Sequence, residues 1–325
     1  MKHLIGIDIG GTKCATLLGQ LDDDGKIMVL DKVVFATAES PASSEMLPRL
    51  QGGIEQLLSV HKLSNNEVAS IGISCGGPLD SKSGMIMSPP NLPGWDDVHI
   101  VSFFEETLSI ATAIQNDANA CALAEWKFGA GQGVQNMIFL TFGTGLGAGL
   151  ILDGKLYAGT NDNAGEVGHI RLDKFGPVGY GKAGSFEGFC SGSGIAQLAR
   201  LKVMEKFQMG DKVSFCSNSF ELSSLTAQHV AEAAINGDPL AIEIFEICGT
   251  YMGQGLSVLI DILNPECIVI GSIFVRAGNM LIPSMEKTLQ REALPLARKV
   301  CRIVPAALDE QIGDIASLSV AANKI

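Results

Sequence analysis

The stretch LIGIDIGGTKCATLLG, residues 4–19, decides the fold. It consists of two apolar runs on either side of the turn GGT (10–12), and this arrangement predicts a β-hairpin. Successive glycines allow backbone N–H groups to converge on an anion, while Lys13 adds a donor and Asp8 a carboxylate directed toward a metal. An ordinary hairpin turn also tolerates two glycines, so the interpretation as a phosphate-binding turn depends on the lysine and the carboxylate.

Apolar patterns beyond the hairpin predict a mixed α/β protein. A third strand is expected at residues 27–35, an amphipathic helix at 43–61 and a buried strand at 68–75. Strands that are followed by a helix and another strand are typical of α/β architecture.

The second half of the chain opens on the same physical unit. A strand at 136–142 (NMIFLTF) is followed by a glycine turn at 143–149 (GTGLGAG) and another apolar run. Two lobes of common design would explain this repeat. Later elements are predicted as helices at 193–207 and 239–263, a buried strand in CIVIGS (267–272) and a closing helix at 313–324.

The length, net charge and cysteine content limit the kinds of protein that this chain can be. A chain of 325 residues exceeds the length at which one hydrophobic core usually keeps growing, so two lobes are expected. The net charge of −12 disfavours a nucleic-acid-binding surface. Eight cysteines without a C-x-x-C pair read as buried, reduced thiols. The short apolar start does not fit a signal peptide, and no apolar span is long enough for a membrane helix, so a cytoplasmic location is expected.

Two common nucleotide-binding motifs do not fit this chain. The turn at 143–149 has the glycine spacing of a relaxed dinucleotide-binding fingerprint, but that motif needs a following helix, and LILDGKLYAG is typical of strand and turn. No G-x-x-x-x-G-K-[ST] string occurs, so a Walker-type P-loop is excluded.

Three further motifs carry a resemblance to a known family. QNDANA (115–120), SPPNLPGW (88–95) and GEVGH (165–169), joined to GTGLGAGLILDGKLYAG, resemble the ROK family of bacterial hexokinases, repressors and open reading frames. The resemblance runs from residue 4 to about residue 320. It places the chain in the superfamily of actin, sugar kinases and heat-shock ATPases.

The resemblance implies an α/β fold of two ribonuclease-H-like lobes with a deep interlobe cleft. The N-terminal small lobe would comprise residues 1–117 and 313–325, and the C-terminal large lobe residues 118–312. The family is often dimeric, so a homodimer is possible.

The resemblance also implies an activity, the transfer of the ATP γ-phosphoryl group to a hexose hydroxyl, typically on carbon 6. Asp117, in the family's N-D-A-N pattern, would be the general base, because a carboxylate can accept the proton of the attacking hydroxyl. Its ordinary alternative is a helix cap for the segment that follows. Both roles can hold together.

Other residues match the family's binding positions. The sugar would be bound by Gly76, Gly77, Asn91, Asn116, Asp117, Glu166, His169 and Glu187. Mg-ATP would be bound by Asp8 (steering Mg²⁺ through water), Gly10, Gly11, Thr12, Lys13, Thr144, Gly145, Gly271 and Ser272. Two glycines are the commoner letters at 271–272. Taken singly, the glycines could form plain turns and the acids could be solvated; only the set favours a site.

Three alternative functions remain to be weighed. A repressor would need a DNA-binding module, for which the residues before Asp8 leave no room. A sugar sensor without chemistry would be expected to lose Asp117 or the phosphate turns, and an actin-like filament protein would be expected to lack QNDANA and GEVGH. Among kinases, glucose is the default substrate, while fructose, mannose, allose, an N-acetylated hexosamine or a β-glucoside stay open.

One departure from the family concerns a metal. Many members continue G-H with C-x-C-G-x-x-G-C, whose cysteines bind a structural zinc together with the histidine. This chain places Val178, Tyr180 and Ser185 at those positions, and we expect packing by Tyr180 and Phe186 to stabilise the loop instead. His169 is then expected to hydrogen-bond to sugar rather than to serve only the structure.

The substitution of the three cysteines predicts that the purified protein binds no zinc, because valine cannot ligate it. Elemental analysis should find less than a tenth of a zinc ion per chain, an order-of-magnitude threshold for trace metal. One zinc per chain would contradict this expectation.

Overall fold

The computed structural model describes all 325 residues and divides them into two compact units. Unit one comprises residues 1–135, 149–164 and 307–325, and unit two comprises 136–148 and 165–306. The sequence places the lobe boundary after Asp117, whereas residues 118–135 lie with unit one, because the helix that follows Asp117 packs on the closing helix of the chain. The division into functional lobes at residue 117 is a separate statement from these compact units, and it stays a prediction.

The secondary structure consists of fourteen strands and ten α-helices. The strands are β1 (Lys2–Ile9), β2 (Lys13–Leu21), β3 (Ile27–Ala36), β4 (Val68–Cys75), β5 (Leu79–Asp80), β6 (Met85–Ile86), β7 (Thr112–Asn116), β8 (Met137–Phe142), β9 (Leu146–Leu152), β10 (Lys155–Leu156), β11 (Val178–Gly179), β12 (Lys182–Ala183), β13 (Cys267–Ile270) and β14 (Arg302–Pro305). The helices are α1 (Ser43–Val60), α2 (Ile100–Leu108), α3 (Asp117–Phe128), α4 (Phe186–Phe189), α5 (Gly192–Gln208), α6 (Ala227–Ile235), α7 (Pro239–Leu263), α8 (Ile273–Glu292), α9 (Pro295–Val300) and α10 (Ile312–Lys324).

The sheet of unit one has the order β3-β2-β1-β4-β7. Strand β2 runs antiparallel to both β1 and β3, whereas β4 is parallel to both β1 and β7. The parallel register aligns Ile9, Cys75 and Asn116, so three strands end at one edge of the sheet. Ligands of α/β proteins bind at such carboxyl ends.

Helix α10 packs closely on this sheet because glycine lines the contact. A Cβ atom added at Gly72 in β4 would lie 2.2 Å from the backbone N of Ala321, and one added at Gly6 in β1 would lie 2.4 Å from Ser317 Oγ. Any larger residue would push the helix away. The close approach brings the first turn of α10 toward the end of β1, where Asp8 lies.

The second sheet has the order β10-β9-β8-β13-β14, in which β13 is parallel to both β8 and β14. The long helices α7 and α8 pack against each other in unit two. Their contact depends on Gly249 and Gly253 of α7, where an added Cβ would lie 2.5 Å and 2.6 Å from the backbone oxygens of Leu281 and Met285. Close packing therefore accounts for glycines within a helix.

The predicted elements agree with the structure in type and position, with one exception. The hairpin, the strands at 27–35, 68–75 and 136–142 and the long helices are confirmed within a few residues. The predicted glycine turn at 143–149 is too long, because β9 already begins at Leu146 and the next glycines are strand residues. No helix combines the length and apolar character that crossing a membrane would require.

Ser272, which precedes α8, has an unusual backbone conformation with φ 52° and ψ −109°. A side chain is unfavourable there, since residues other than glycine pay about 1–3 kcal/mol for sparsely populated backbone regions. Gly is the residue that adopts positive φ without this cost. Ser272 therefore stores strain beside the strand end at Gly271.

Ser272→Gly should raise the free energy of unfolding by about 1 kcal/mol, the strain relief less the entropy that glycine adds to the unfolded chain. Denaturant titration of both proteins measures the difference. Ser272→Ala is the matched control, because it removes the hydroxyl and keeps the Cβ. Equal stability of the glycine variant and the wild type would contradict the strain.

Candidate active site

The β1–β2 turn presents backbone N–H groups to solvent. Gly10 N–H donates to Lys13 O at 3.0 Å, Thr37 Oγ1 donates to Gly10 O at 2.7 Å, and Thr37 N–H donates to Thr12 O at 3.0 Å. The N–H groups of Gly11 and Thr12 find no acceptor in the protein, and both residues are exposed. Two consecutive unpaired N–H groups of this kind suit an anion such as phosphate.

The glycines of this turn serve close approach rather than a left-handed backbone. Neither Gly10 nor Gly11 has a positive φ. A Cβ on Gly11 would lie 2.7 Å from Asn91 O, a distance that would force the two segments apart. The turn thus touches the loop that carries the predicted sugar residue Asn91.

Asp8 lies at the end of β1 in a negative environment. Burial and then the Asp314 carboxylate raise the pKa of Asp8 to about 6, while Lys32 and Lys13 partly oppose the shift. Lys32 forms an ion pair with Asp314, so its positive charge acts on the Asp314 carboxylate as well as on Asp8. A cation beside Asp8 would relieve this repulsion. No group of three or more His, Cys, Asp or Glu side chains forms a metal cage, which is compatible with Mg²⁺ bound mainly by phosphate oxygens and water.

The predicted sugar residues of unit one lie together at the edge formed by β4 and β7. A Cβ on Gly76 would lie 3.4 Å from both amide heteroatoms of Asn91, and one on Gly77 would lie 3.1 Å from Asn116 Nδ2. The Asn91 loop is anchored by Trp95, whose ring is fully buried and whose Nε1 donates to a backbone oxygen at 2.8 Å. Two side-chain amides are therefore held over two glycines.

Asp117 follows directly as the first residue of α3. Asn116 is the N-cap residue, and its Oδ1 accepts from Ala118 N–H at 2.9 Å. Asp117 Oδ1 accepts from the same N–H at 2.8 Å. Because Asn116 occupies the cap position, capping alone does not account for an aspartate at 117.

The electrostatic surroundings of Asp117 favour a carboxyl group that takes up a proton readily. Its side chain is exposed, so a reactant can reach it. The surrounding protein nevertheless displaces bulk water, and this desolvation raises the pKa of Asp117, although the hydrogen bond from Ala118 N–H acts in the opposite direction.

The β8–β9 turn in unit two repeats the pattern of the first turn. Gly143 N–H donates to Gly145 O at 3.1 Å, Gly192 N–H donates to Gly143 O at 2.7 Å, and Ser193 Oγ donates to Thr144 O at 2.6 Å. The N–H groups of Thr144 and Gly145 have no acceptor in the protein. The start of α5 thus holds the carbonyl groups and leaves two N–H groups for a ligand.

The GEVGH motif and Glu187 lie beside this turn. Gly165 O accepts from Ala148 N–H at 2.9 Å, which ties the motif to β9. Glu187 Oε2 accepts from Leu146 N–H at 3.0 Å. Sequence reasoning placed Glu187 with the sugar residues and missed this contact, because no sequence pattern indicates it.

Glu166 and His169 are both exposed, and His169 meets the Tyr180 ring edge to face at 6.1 Å between centroids. Gly271 N–H donates to Leu140 O at 3.0 Å, which places the predicted adenosine-side residues at the end of β13. Ser272 Oγ would lie 3.6 Å from a Cβ on Gly143. The unit-two residues of the predicted nucleotide set therefore form one group.

The loop at 170–186 is stabilised by hydrogen bonds. Val178 exchanges two of them with the side chain of Gln197, at 3.0 and 2.9 Å. Tyr251 Oη donates to Asp173 Oδ2 at 2.6 Å, and its ring stacks on Phe189. Sequence reasoning missed Gln197 and Tyr251, because each lies on a helix remote from the loop in the chain.

The expected role of Tyr180 in packing this loop is wrong, and that of Phe186 is confirmed. The Tyr180 side chain is 83% exposed, whereas Phe186 is fully buried. Tyr180 has φ 42° and lies at the tip of the β11–β12 hairpin, so its side chain points away from any core. Hydrogen bonds from helices α5 and α7 supply the support instead.

Comparisons with known proteins identify the family of this chain. The model of the ROK family matches residues 4–323. The chain belongs to the ROK family. A glucokinase of Halalkalibacterium halodurans is 31% identical over 296 residues, which cover 90% of this chain and 87% of that protein.

Two solved ROK structures illustrate the functional range of the family. A ROK family transcriptional regulator, a homologue of the E. coli MLC protein, is 26% identical with a TM-score of 0.84, covering 99% of this chain and 78% of that one. A ROK family glucokinase from Streptomyces griseus, in complex with glucose and AMPPNP, is 27% identical with a TM-score of 0.75, covering 99% of both chains. The predicted α/β, actin-like ATPase fold is confirmed.

Asp8→Asn should stabilise the folded protein at pH 7.5 by about 3 kcal/mol, because the pKa rise from 3.8 to about 6 corresponds to about 1.36 kcal/mol per pKa unit. The folded-state pKa of about 6 lies above the ordinary value of 3.8, so the charged form costs stability above pH 6. The gain should shrink as the pH falls through 6 and vanish below about 4, where both states are protonated. Denaturant titrations across this range measure it.

The matched control is Asp24→Asn, since Asp24 is exposed to solvent. It should leave the free energy of unfolding unchanged at every pH. An Asp8→Asn gain that stays constant with pH would contradict the proposed charge repulsion.

Proposed function

We propose that this ROK family member is an ATP-dependent hexose kinase that phosphorylates glucose or a related sugar at the C6 hydroxyl. The observation that carries the proposal is the Asp117 carboxylate. It is exposed, its pKa is raised, and it follows the cap residue Asn116 at the carboxyl end of β7. The neighbouring amides and glycines suit a ring of hydroxyl groups.

In the proposed reaction, Asp117 accepts the proton of the sugar hydroxyl as its oxygen attacks the γ-phosphorus. The bond from that phosphorus to the bridging oxygen of ADP breaks, and ADP leaves with the electron pair. A base is most effective when its pKa lies near the working pH, so the raised pKa of Asp117 favours this role. Such a contribution amounts to roughly 10²–10⁴ in rate.

The two glycine turns would bind the phosphates of ATP. The N–H groups of Gly11 and Thr12 in unit one, and of Thr144 and Gly145 in unit two, are unpaired in the protein and would donate to phosphate oxygens. Asp8 would hold Mg²⁺ through water, and the ion would neutralise charge on the phosphate oxygens. Lys13 adds a positive charge, and Gly10, Gly271 and Ser272 complete the proposed nucleotide set.

The proposed sugar-binding residues of unit one are Gly76, Gly77, Asn91 and Asn116. Those of unit two are Glu166, His169 and Glu187. Amides, carboxylates and an imidazole together provide donors and acceptors for hydroxyl groups. A cytoplasmic location and a homodimer complete the proposal.

A sugar-responsive regulatory protein is the second candidate, favoured by the TM-score of 0.84 to a transcriptional regulator. That function needs the sugar residues but not the base. The net charge of −12 weighs against direct contact with DNA. Turnover of ATP in the presence of sugar separates the two candidates.

We expect sugar-dependent release of ADP in a coupled assay with glucose, fructose, mannose, allose, N-acetylhexosamines and β-glucosides. Asp117→Asn should lower kcat by about 10²–10⁴ while sugar binding persists, because the amide still hydrogen-bonds but cannot accept a proton. Calorimetry measures the sugar affinity. Asp24→Asn serves as the control and should leave kcat unchanged.

Two results would reject the proposal. If no sugar stimulated the release of ADP, the proposed sugar kinase activity would be ruled out. Near-normal turnover by Asp117→Asn would leave a kinase whose base lies elsewhere.

A further inference from the structure

We infer that Glu187 is a positioning residue for the second glycine turn, so that nucleotide binding depends on it even when no sugar is present. The inference goes beyond the proposed role of Glu187 in binding sugar. It rests on contacts within unit two, which join the β8–β9 turn and the GEVGH motif to the segment from α4 to the start of α5.

The first contact is the hydrogen bond from Leu146 N–H to Glu187 Oε2, at 3.0 Å. Leu146 is buried, so its N–H would otherwise lack a partner, and an unmade buried hydrogen bond is costly. Leu146 follows Gly145 directly. The carboxylate therefore fixes the peptide unit next to the one whose N–H is offered to phosphate.

The second contact is steric. A Cβ on Gly145 would lie 2.8 Å from Glu187 Oε2, and Gly145 has no positive φ. A side chain at this position would therefore displace the carboxylate without straining the backbone conformation. On the other side, a Cβ on Gly168 would lie 3.1 Å from Glu187 Cβ, so the GEVGH motif confines the same side chain.

The third contact set completes the support of the turn. Gly192 N–H and Ser193 Oγ bind the carbonyl oxygens of Gly143 and Thr144. The segment 187–193 therefore holds the turn at Gly143, Thr144 and Leu146, and the N–H groups of Thr144 and Gly145 are left to face a ligand.

The other oxygen of Glu187 makes no hydrogen bond in the protein. If the proposed function holds, a sugar hydroxyl donates to this Oε1 while Oε2 still holds Leu146. One carboxylate then joins the sugar to the phosphate turn, and each ligand should raise the affinity for the other by the same factor.

The test measures binding of AMPPNP with Mg²⁺ by calorimetry in the absence of sugar. Glu187→Ala should raise the Kd by roughly threefold to tenfold, the value of one net hydrogen bond. Glu187→Gln keeps an acceptor for Leu146 N–H and should stay within about twofold of wild type. Glu246→Ala, at an exposed position of α7 in the same unit, is the matched control and should leave the sugar-free Kd unchanged.

A double-mutant cycle guards against a variant that is merely misfolded. Gly145→Ala should weaken nucleotide binding in the wild-type background by displacing the carboxylate, and should cost less in the Glu187→Ala background, where the space is open. Thermal unfolding of each variant checks that it is folded. Additive effects in the cycle would overturn the inference.

The remaining outcomes are equally decisive. Unchanged sugar-free affinity in Glu187→Ala would overturn the positioning role, as would equal losses in the alanine and glutamine variants. Addition of glucose tests the coupling, which should be present in the wild type and absent in Glu187→Ala. Failure of every sugar to be phosphorylated would reject the proposed function and leave the sugar-free result standing.

Discussion

The parallel register of β1, β4 and β7 is the constraint on which unit one depends. It ends three strands at one edge, at Ile9, Cys75 and Asn116, so that the residues that follow each strand are neighbours. One strand continues into a glycine turn, the next into Gly76 and Gly77, and the third into Asp117. The hydrogen bonds between these strands thus set the spacing of the candidate site residues that follow them.

The two glycine turns show a common physical solution on different supports. In each turn two carbonyl groups accept hydrogen bonds, from Thr37 in unit one and from the start of α5 in unit two, and two consecutive N–H groups remain unpaired. These bonds hold each turn in a shape that leaves the two N–H groups available to an anion. The repeat seen in the sequence is a repeat of this hydrogen-bonding arrangement.

Much of this could be predicted from the sequence, because local pattern carries it. Alternating and continuous apolar runs identified the strands, and the motifs QNDANA and GEVGH identified the family. Contacts between distant segments could not be predicted. The hydrogen bond of Glu187 to Leu146, and the cap at Asn116 rather than Asp117, depend on tertiary placement that no local pattern encodes.

The exposure of Tyr180 illustrates the same limit. An aromatic residue in a loop with four glycines suggested packing, and only the hairpin geometry at residues 178–183 shows that its ring lies at a tip. The direction of a loop side chain depends on the backbone conformation, and glycines allow that backbone many conformations. Ser272 is a further case, since its strain depends on where α8 begins.

The paired hydrogen bonds between Gln197 and Val178, together with the bond from Tyr251 to Asp173, have a consequence for how the protein matures. Both supporting side chains lie on helices that follow the loop in the chain, Gln197 on α5 and Tyr251 on α7. The loop therefore gains this support only after both helices have been synthesised and have folded.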